Sequence, residues 1–271
     1  MKSFFYKNNS FIFILIIFIL SMFGCDYISA ETYYQLGKIA WEKKEYTDAV
    51  EKFTKALEIN PSMAMAYFGR SLAWKKIGNI DKALDDVNRG IKLDPSKAAV
   101  YVLRGDIYSD KKEYRLALIN YNTAITVDPM DEWLYLARAH YWDVNGNFRN
   151  EVSDLEKALK LKPSDFKVLD QFAWMLATCS DKSYRNGSNA VEFAEKAVKA
   201  SRLTETLDTM AAAYAEVGRV DDAIKIQEES IGIRKKTGNI KFFSESIKRL
   251  KSYKNRIAWT NDSHINLYFD K

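Results

Sequence analysis

The sequence predicts an all-α fold, a solenoid of antiparallel helix pairs. Three observations predict it. The four prolines, Pro61, Pro95, Pro129 and Pro163, each stand 34 residues after the last, which is the length of one helix–turn–helix unit in a stacked array. Small residues keep the same interval: Ala49, Ala83 and Ala117 fill one slot, with Glu151 in the fourth place, and Ala56, Gly90, Ala124 and Ala158 fill another. Large apolar residues do likewise, with Tyr67, Tyr101 and Tyr135 opening successive units and Phe53, Val87, Tyr121 and Leu155 sharing one position.

Each kind of position has a structural task. Small residues let the two helices of a pair approach, and apolar residues three and four apart give each helix one buried stripe. Each proline follows the last apolar turn of a helix, as in Leu57-Glu58-Ile59-Asn60-Pro61. It cannot continue the ladder, so it separates one unit from the next. This divides residues 30–237 into six units: 30–63, 64–97, 98–131, 132–165, 166–203 and 204–237. In the fifth, the turn is lengthened by five residues through Cys179–Gly187; the sixth has Lys235 where proline is expected. Residues 238–257 read as a helix sealing the last unit, with Ile240, Phe243, Ile247, Leu250 and Ile257 on one face, and 258–271 as a tail. From Arg234 to Arg256 there are nine basic residues and one acid, Glu245. That segment reads either as a solvating cap or as a contact for anionic lipid heads.

The motif Tyr33, Gly37, Tyr46, Ala49, Phe53, Ala56, Pro61, and again Tyr101, Gly105, Tyr108, Tyr114, Ala117, Tyr121, Ala124, Pro129, resembles the tetratricopeptide repeat. The resemblance implies a superhelix whose first helices line a concave wall that binds other proteins. It also implies that Arg70, Arg104 and Arg138 face Asp86, Asn120 and Asp154 as internal struts.

Carried over position by position, the wall consists of Tyr34, Lys38 and Trp41; Met65, Phe68, Leu72 and Lys75; Ala99, Val102, Asp106 and Ser109; Trp133, Leu136, His140 and Asp143; and Lys167, Asp170 and Trp174. Tyr34, Trp41, Met65, Phe68, Leu72, Trp133, Leu136 and Trp174 are large and apolar. An exposed apolar stripe marks a partner site, so the expected partner is an apolar or amphipathic peptide, helix or loop. The basic residues that hold a terminal carboxylate in chaperone-binding relatives are replaced by Tyr34, Ala99 and Leu103.

The amino terminus is a separate device. Lys2 and Lys7 precede an apolar run from Phe11 to Phe23, too short for a comfortable crossing at about 20 residues and typical of an export signal. Ser21-Met22-Phe23-Gly24-Cys25 resembles a bacterial lipobox, which implies removal of residues 1–24, lipid on Cys25 and a short linker over 25–29. Ordinary cleavage after Ala30 and an uncleaved anchor are the alternatives.

The remaining chemistry is sparse. The formal charge of +5 falls to +3 without Lys2 and Lys7, too little to argue for nucleic acid. His140 and His264 have no partners at metal-ligand spacing, and there is no phosphate loop or nucleophile elbow. The expectation is a non-catalytic scaffold in a bacterial cell envelope, without cofactor or small-molecule substrate. It is exported and lipid-anchored to a membrane facing the periplasm or the exterior. The alternatives are an assembly lipoprotein similar to pilotins, a soluble periplasmic module, and an enzyme using Cys179 as a nucleophile.

Overall fold

The computed structural model of the chain describes residues 29–238 and 242–260. Among them are thirteen α-helices and no strand. The chain divides after Val127 into two compact units.

The first unit holds three pairs: α1 (Ala30–Glu42) with α2 (Tyr46–Ile59), α3 (Ala64–Lys76) with α4 (Ile80–Leu93), and α5 (Ala98–Asp110) with α6 (Tyr114–Val127). The second holds α7 (Glu132–Val144) with α8 (Phe148–Leu161), α9 (Phe166–Thr178) with α10 (Gly187–Ala200), α11 (Thr204–Glu216) with α12 (Val220–Thr237), and α13 (Phe243–Lys254). In each unit every helix packs on the next, and the first helices of successive pairs also touch: α1 on α3 and α3 on α5, then α7 on α9 and α9 on α11. These first helices therefore make one wall of their unit.

The repeated residues fill the core as expected. Ala49, Ala83, Ala117, Ala56, Ala124 and Ala158 are wholly buried, and Phe53, Val87, Tyr121 and Leu155 lie beneath the pairs. Phe53 shows why glycine stands opposite it: a Cβ on Gly37 or Gly69 would lie 2.6 Å from its ring. The opening tyrosines are tied to the prolines, since the hydroxyls of Tyr101 and Tyr135 donate to the carbonyls of Pro95 at 3.1 Å and Pro129 at 3.2 Å. Pro and Tyr thus set the start of these two units together.

The arginines are struts. Arg70 grips Asp86 through Nε at 2.7 Å and Nη2 at 2.8 Å, and donates through Nη1 to Thr54 Oγ1 at 3.0 Å. Arg104 bonds Asn120 at 2.6 Å and Asn88 at 2.9 Å. Each of these two ties its own helix to the second helices of two successive pairs. Arg138 grips Asp154 at 2.7 and 2.8 Å.

The turn inside each of the first four pairs needs one residue in the left-handed region. Gly78 and Gly146 supply it without a Cβ penalty, but Lys44 and Lys112 sit at the equivalent places with φ of 64° and 60°, a conformation that costs an ordinary side chain about 1 kcal/mol.

The lengthened turn after α9 holds a short 3₁₀ turn, Lys182–Tyr184. Arg185 fastens it, donating to the Cys179 carbonyl at 2.6 Å and pairing with Glu216 at 3.3 Å. In the sixth pair, Lys235 permits what proline would forbid. α12 runs on through it to Thr237 and stops at the left-handed Gly238.

The last helix corrects the sequence reading. α13 seats only in part on the expected face: Phe243 and Leu250 are half-buried, but Ile247 and Ile257 are not. Its buried residues are Ser246, Arg249 and Tyr253, while Ile247 is 42% and Ile257 60% exposed; Ile240 lies outside the described residues. The cause is Asp208 on α11, which is wholly buried and accepts from Arg234 at 3.0 Å and Arg249 at 2.7 Å. A buried carboxylate needs charge compensation more than an isoleucine needs burial.

Candidate functional site

The predicted wall positions of the first unit fall on α1, α3 and α5, and those on α1 and α3 surround an open apolar cavity. It has a volume of about 160 Å³ and is lined by Tyr34, Lys38, Trp41, Phe53, Met65, Phe68, Gly69 and Leu72. Spacing explains the convergence. Tyr34, Lys38 and Trp41 share one face of α1, as Met65, Phe68 and Leu72 do of α3, and the two helices are in contact. Phe53 of α2 closes the floor, its ring 5.8 Å from that of Tyr34.

The lining residues are not equally available. Met65 is 46% and Leu72 37% exposed. Tyr34, Lys38 and Trp41 are half-buried, and the Lys38 ammonium lies 5.8 Å from the Tyr34 ring centre. Phe68 differs from the expectation of an exposed stripe: it is buried, because its ring packs over Gly90 of α4, where a Cβ would lie 2.2 Å from it. It forms part of the floor and is not a free anchor. Val102 is buried too.

At the α5 end the wall becomes polar. Lys75 pairs with Asp110 at 3.0 Å, and Asp106 accepts from the Tyr121 hydroxyl at 2.7 Å. Burial pushes the Asp106 carboxyl up to about 6, against the pull of Lys75. This end of the wall therefore gains negative charge as pH rises through 6.

The second unit's wall is different. Trp133 and His140 are half-buried and Leu136 is buried. Trp174, read from sequence as an exposed anchor, is buried at 8% exposure, and the guanidinium of Arg249 lies 5.5 Å from its ring centre. Arg249 is in turn 6.0 Å from the ring of Trp259. Here the chain covers its own wall with a side chain from α13. Asp208 anchors it, with Gln227 at 2.7 Å and Ser230 at 2.6 Å on one oxygen, and Ser246 at 3.1 Å beside the two arginines on the other. Sequence reasoning missed Asp208; its partner Arg249 is 41 residues away, and no local pattern links them.

A second small cavity, about 20 Å³, lies among Asp143, Phe148, Glu151, Trp174, Met175, Thr178, Cys179 and Ser180. It is about large enough for one water. Glu151, the residue in the alanine slot, has its carboxyl pushed up to about 9 by burial and by Asp143, so it is neutral at pH 7. Cys179 is buried and unbridged, and burial raises its thiol to about 11. A nucleophile needs the opposite shift, so the geometry gives the thiol-enzyme reading no support. Among the described residues no cluster of His, Cys, Asp and Glu could hold a metal ion, and no helix is long and apolar enough to cross a membrane. Cys25 lies outside the described residues.

Comparison with known proteins agrees with this architecture. Residues 30–63 and 98–130 each match the family model of the tetratricopeptide repeat. A stretch of 64 residues is 34% identical to small glutamine-rich tetratricopeptide repeat-containing protein 2 of Mycosarcoma maydis; it covers 24% of this chain and only 18% of that relative's length. The fold is similar to yeast Tom70, with a TM-score of 0.67 at 18% identity over 84% of this chain and 47% of that one. It is also similar to PilW, a type IV pilus biogenesis factor, with a TM-score of 0.63 at 13% identity over 80% of this chain and 98% of that one. At such identities the likeness concerns the fold alone. The two matched units show that the chain carries tetratricopeptide repeats, and the helix pairs at 34-residue intervals continue the same arrangement.

Proposed function

We propose that the protein is a non-catalytic scaffold that captures a partner protein on the wall formed by α1 and α3. The observation that carries this is the cavity between those helices, where Met65 and Leu72 stay exposed above an aromatic floor. Neither residue is needed to close the core, and an apolar hollow of this kind suits one or two aliphatic or aromatic side chains from an amphipathic helix or extended segment. Tyr34 and Trp41 offer rigid, half-buried contact area, and Lys38 supplies a cation at the rim.

The placement we propose is a bacterial cell envelope, with Cys25 carrying a lipid after loss of residues 1–24. Its support is the amino-terminal sequence, a basic start followed by a short apolar run and Gly24-Cys25. A tethered wall raises the local concentration of its partner at the membrane. A narrower version, by analogy with PilW, whose fold is similar over nearly all of its length, takes a subunit of an assembled envelope machine as the partner.

Two measurements test this. Because Phe68 is buried, the informative substitutions are at the exposed positions. Met65→Asp combined with Leu72→Asp should leave helicity unchanged and lower partner recovery from native extracts at least about tenfold, the scale of one lost hot spot. Equal recovery would remove the wall from the account. Metabolic palmitate should label the full chain and not Cys25→Ala; label on both would place the lipid elsewhere.

A further inference from the structure

α13 is held by one side only. Ser246, Arg249 and Tyr253 face the interior, and the other side is exposed. On it Ile247, Lys248, Lys251 and Lys254 recur at helical spacing, and Arg256 and Ile257, just past the helix end, are exposed as well. The ion pairs of this face among the described residues are weak or external: Lys248 lies 3.9 Å from Glu245, and Lys254 lies 2.8 Å from Glu228 of α12. Lys251 and Arg256 have none there. Two exposed isoleucines stand among four cations, with one carboxylate on the helix itself.

This combination selects among partners. A protein groove that took up Ile247 and Ile257 would have to desolvate the lysines between them, at a cost its own acids must offset. Nucleic acid would make use of the cations but offers no place for the aliphatic groups. The boundary layer of an anionic bilayer takes both, with isoleucine in the acyl region and ammonium groups at the phosphates, since lysine stems extend along the apolar layer.

We infer that the outer face of α13 docks on anionic lipid headgroups. The inference rests on α13 and the residues that follow it, and holds whether or not Cys25 carries a lipid. The test uses the full chain carrying Cys25→Ala, mixed with vesicles of phosphatidylglycerol and phosphatidylcholine or of phosphatidylcholine alone. Lysine acetylation is read by mass spectrometry. Acetylation of Lys248 and Lys251 should fall about fivefold or more on the anionic vesicles and recover at about 0.5 M salt, where screening is short-ranged. Labelling of Lys43 and Lys44, exposed in the turn after α1, should not change.

Lys248→Glu with Lys251→Glu should keep the wild-type melting temperature and lose the anionic-dependent part of vesicle sedimentation. Unchanged acetylation on anionic vesicles, equal protection on neutral ones, or equal protection by polyglutamate would each overturn the inference. The last of these would assign the face to an acidic polypeptide.

Discussion

Asp208→Ala should destabilise the second unit by about 4 kcal/mol, because it leaves two wholly buried guanidinium groups without their carboxylate. In a unit of this size that corresponds to a fall in melting temperature of roughly 10 °C. The effect should reach beyond α11. Arg249 is the main polar tie of α13 to the unit, so protease cleavage within residues 242–260 should accelerate before the rest of the unit opens. Arg249→Met should cost less, since Asp208 keeps Arg234, Gln227 and Ser230 and the methionine can fill space beside Trp174. A loss below about 1 kcal/mol in Asp208→Ala would show that the cluster is hydrated in solution and does not pin α13.

Glu151→Gln has the opposite sign. The Glu151 carboxyl is raised from the ordinary glutamate value of 4.5 to about 9, chiefly by burial and then by Asp143. Below pH 4.5 the folded and unfolded chains both hold the proton, and the group costs nothing. Between 4.5 and 9 the unfolded chain releases it while the folded chain keeps it, so stability declines as pH rises; above 9 the cost is constant. At pH 7 the penalty is on the order of 3 kcal/mol. The glutamine variant lacks it and should be more stable than wild type by about 2 kcal/mol or more at pH 7, with the difference vanishing near pH 4.5. Chemical denaturation across that range checks this, and a difference independent of pH would contradict it.

These two residues mark where the sequence was legible and where it was not. The period and the buried roles of Phe53 and Ala83 could be read, because each recurs at a fixed interval and depends on neighbours within one or two helices; the pairing of Arg70 with Asp86 was implied by the resemblance to the family. Glu151 was visible as an exception in an alanine slot, but its neutrality depends on Asp143 and on burial. The expected wall positions fall on the first helices of the pairs, yet exposure varies within one face: Gly90 admits the Phe68 ring and buries it, while Met65 stays 46% exposed. The orientation of α13 could not be read from its own pattern. Its apolar residues suggest one face, and a carboxylate 41 residues earlier in the chain turns the helix so that Arg249 is buried and Ile247 is exposed.

The same contrast sets the functional expectation. The wall of the first unit keeps an apolar hollow open, while that of the second has Trp174 covered by Arg249. Amide hydrogen exchange of the chain with its captured partner tests this most directly. Partner-dependent protection should appear in α1 and α3 around Trp41, Met65 and Leu72, disappear in Met65→Asp with Leu72→Asp, and be absent around Trp174 in α9. Protection centred on α9, or unchanged in the double variant, would contradict it.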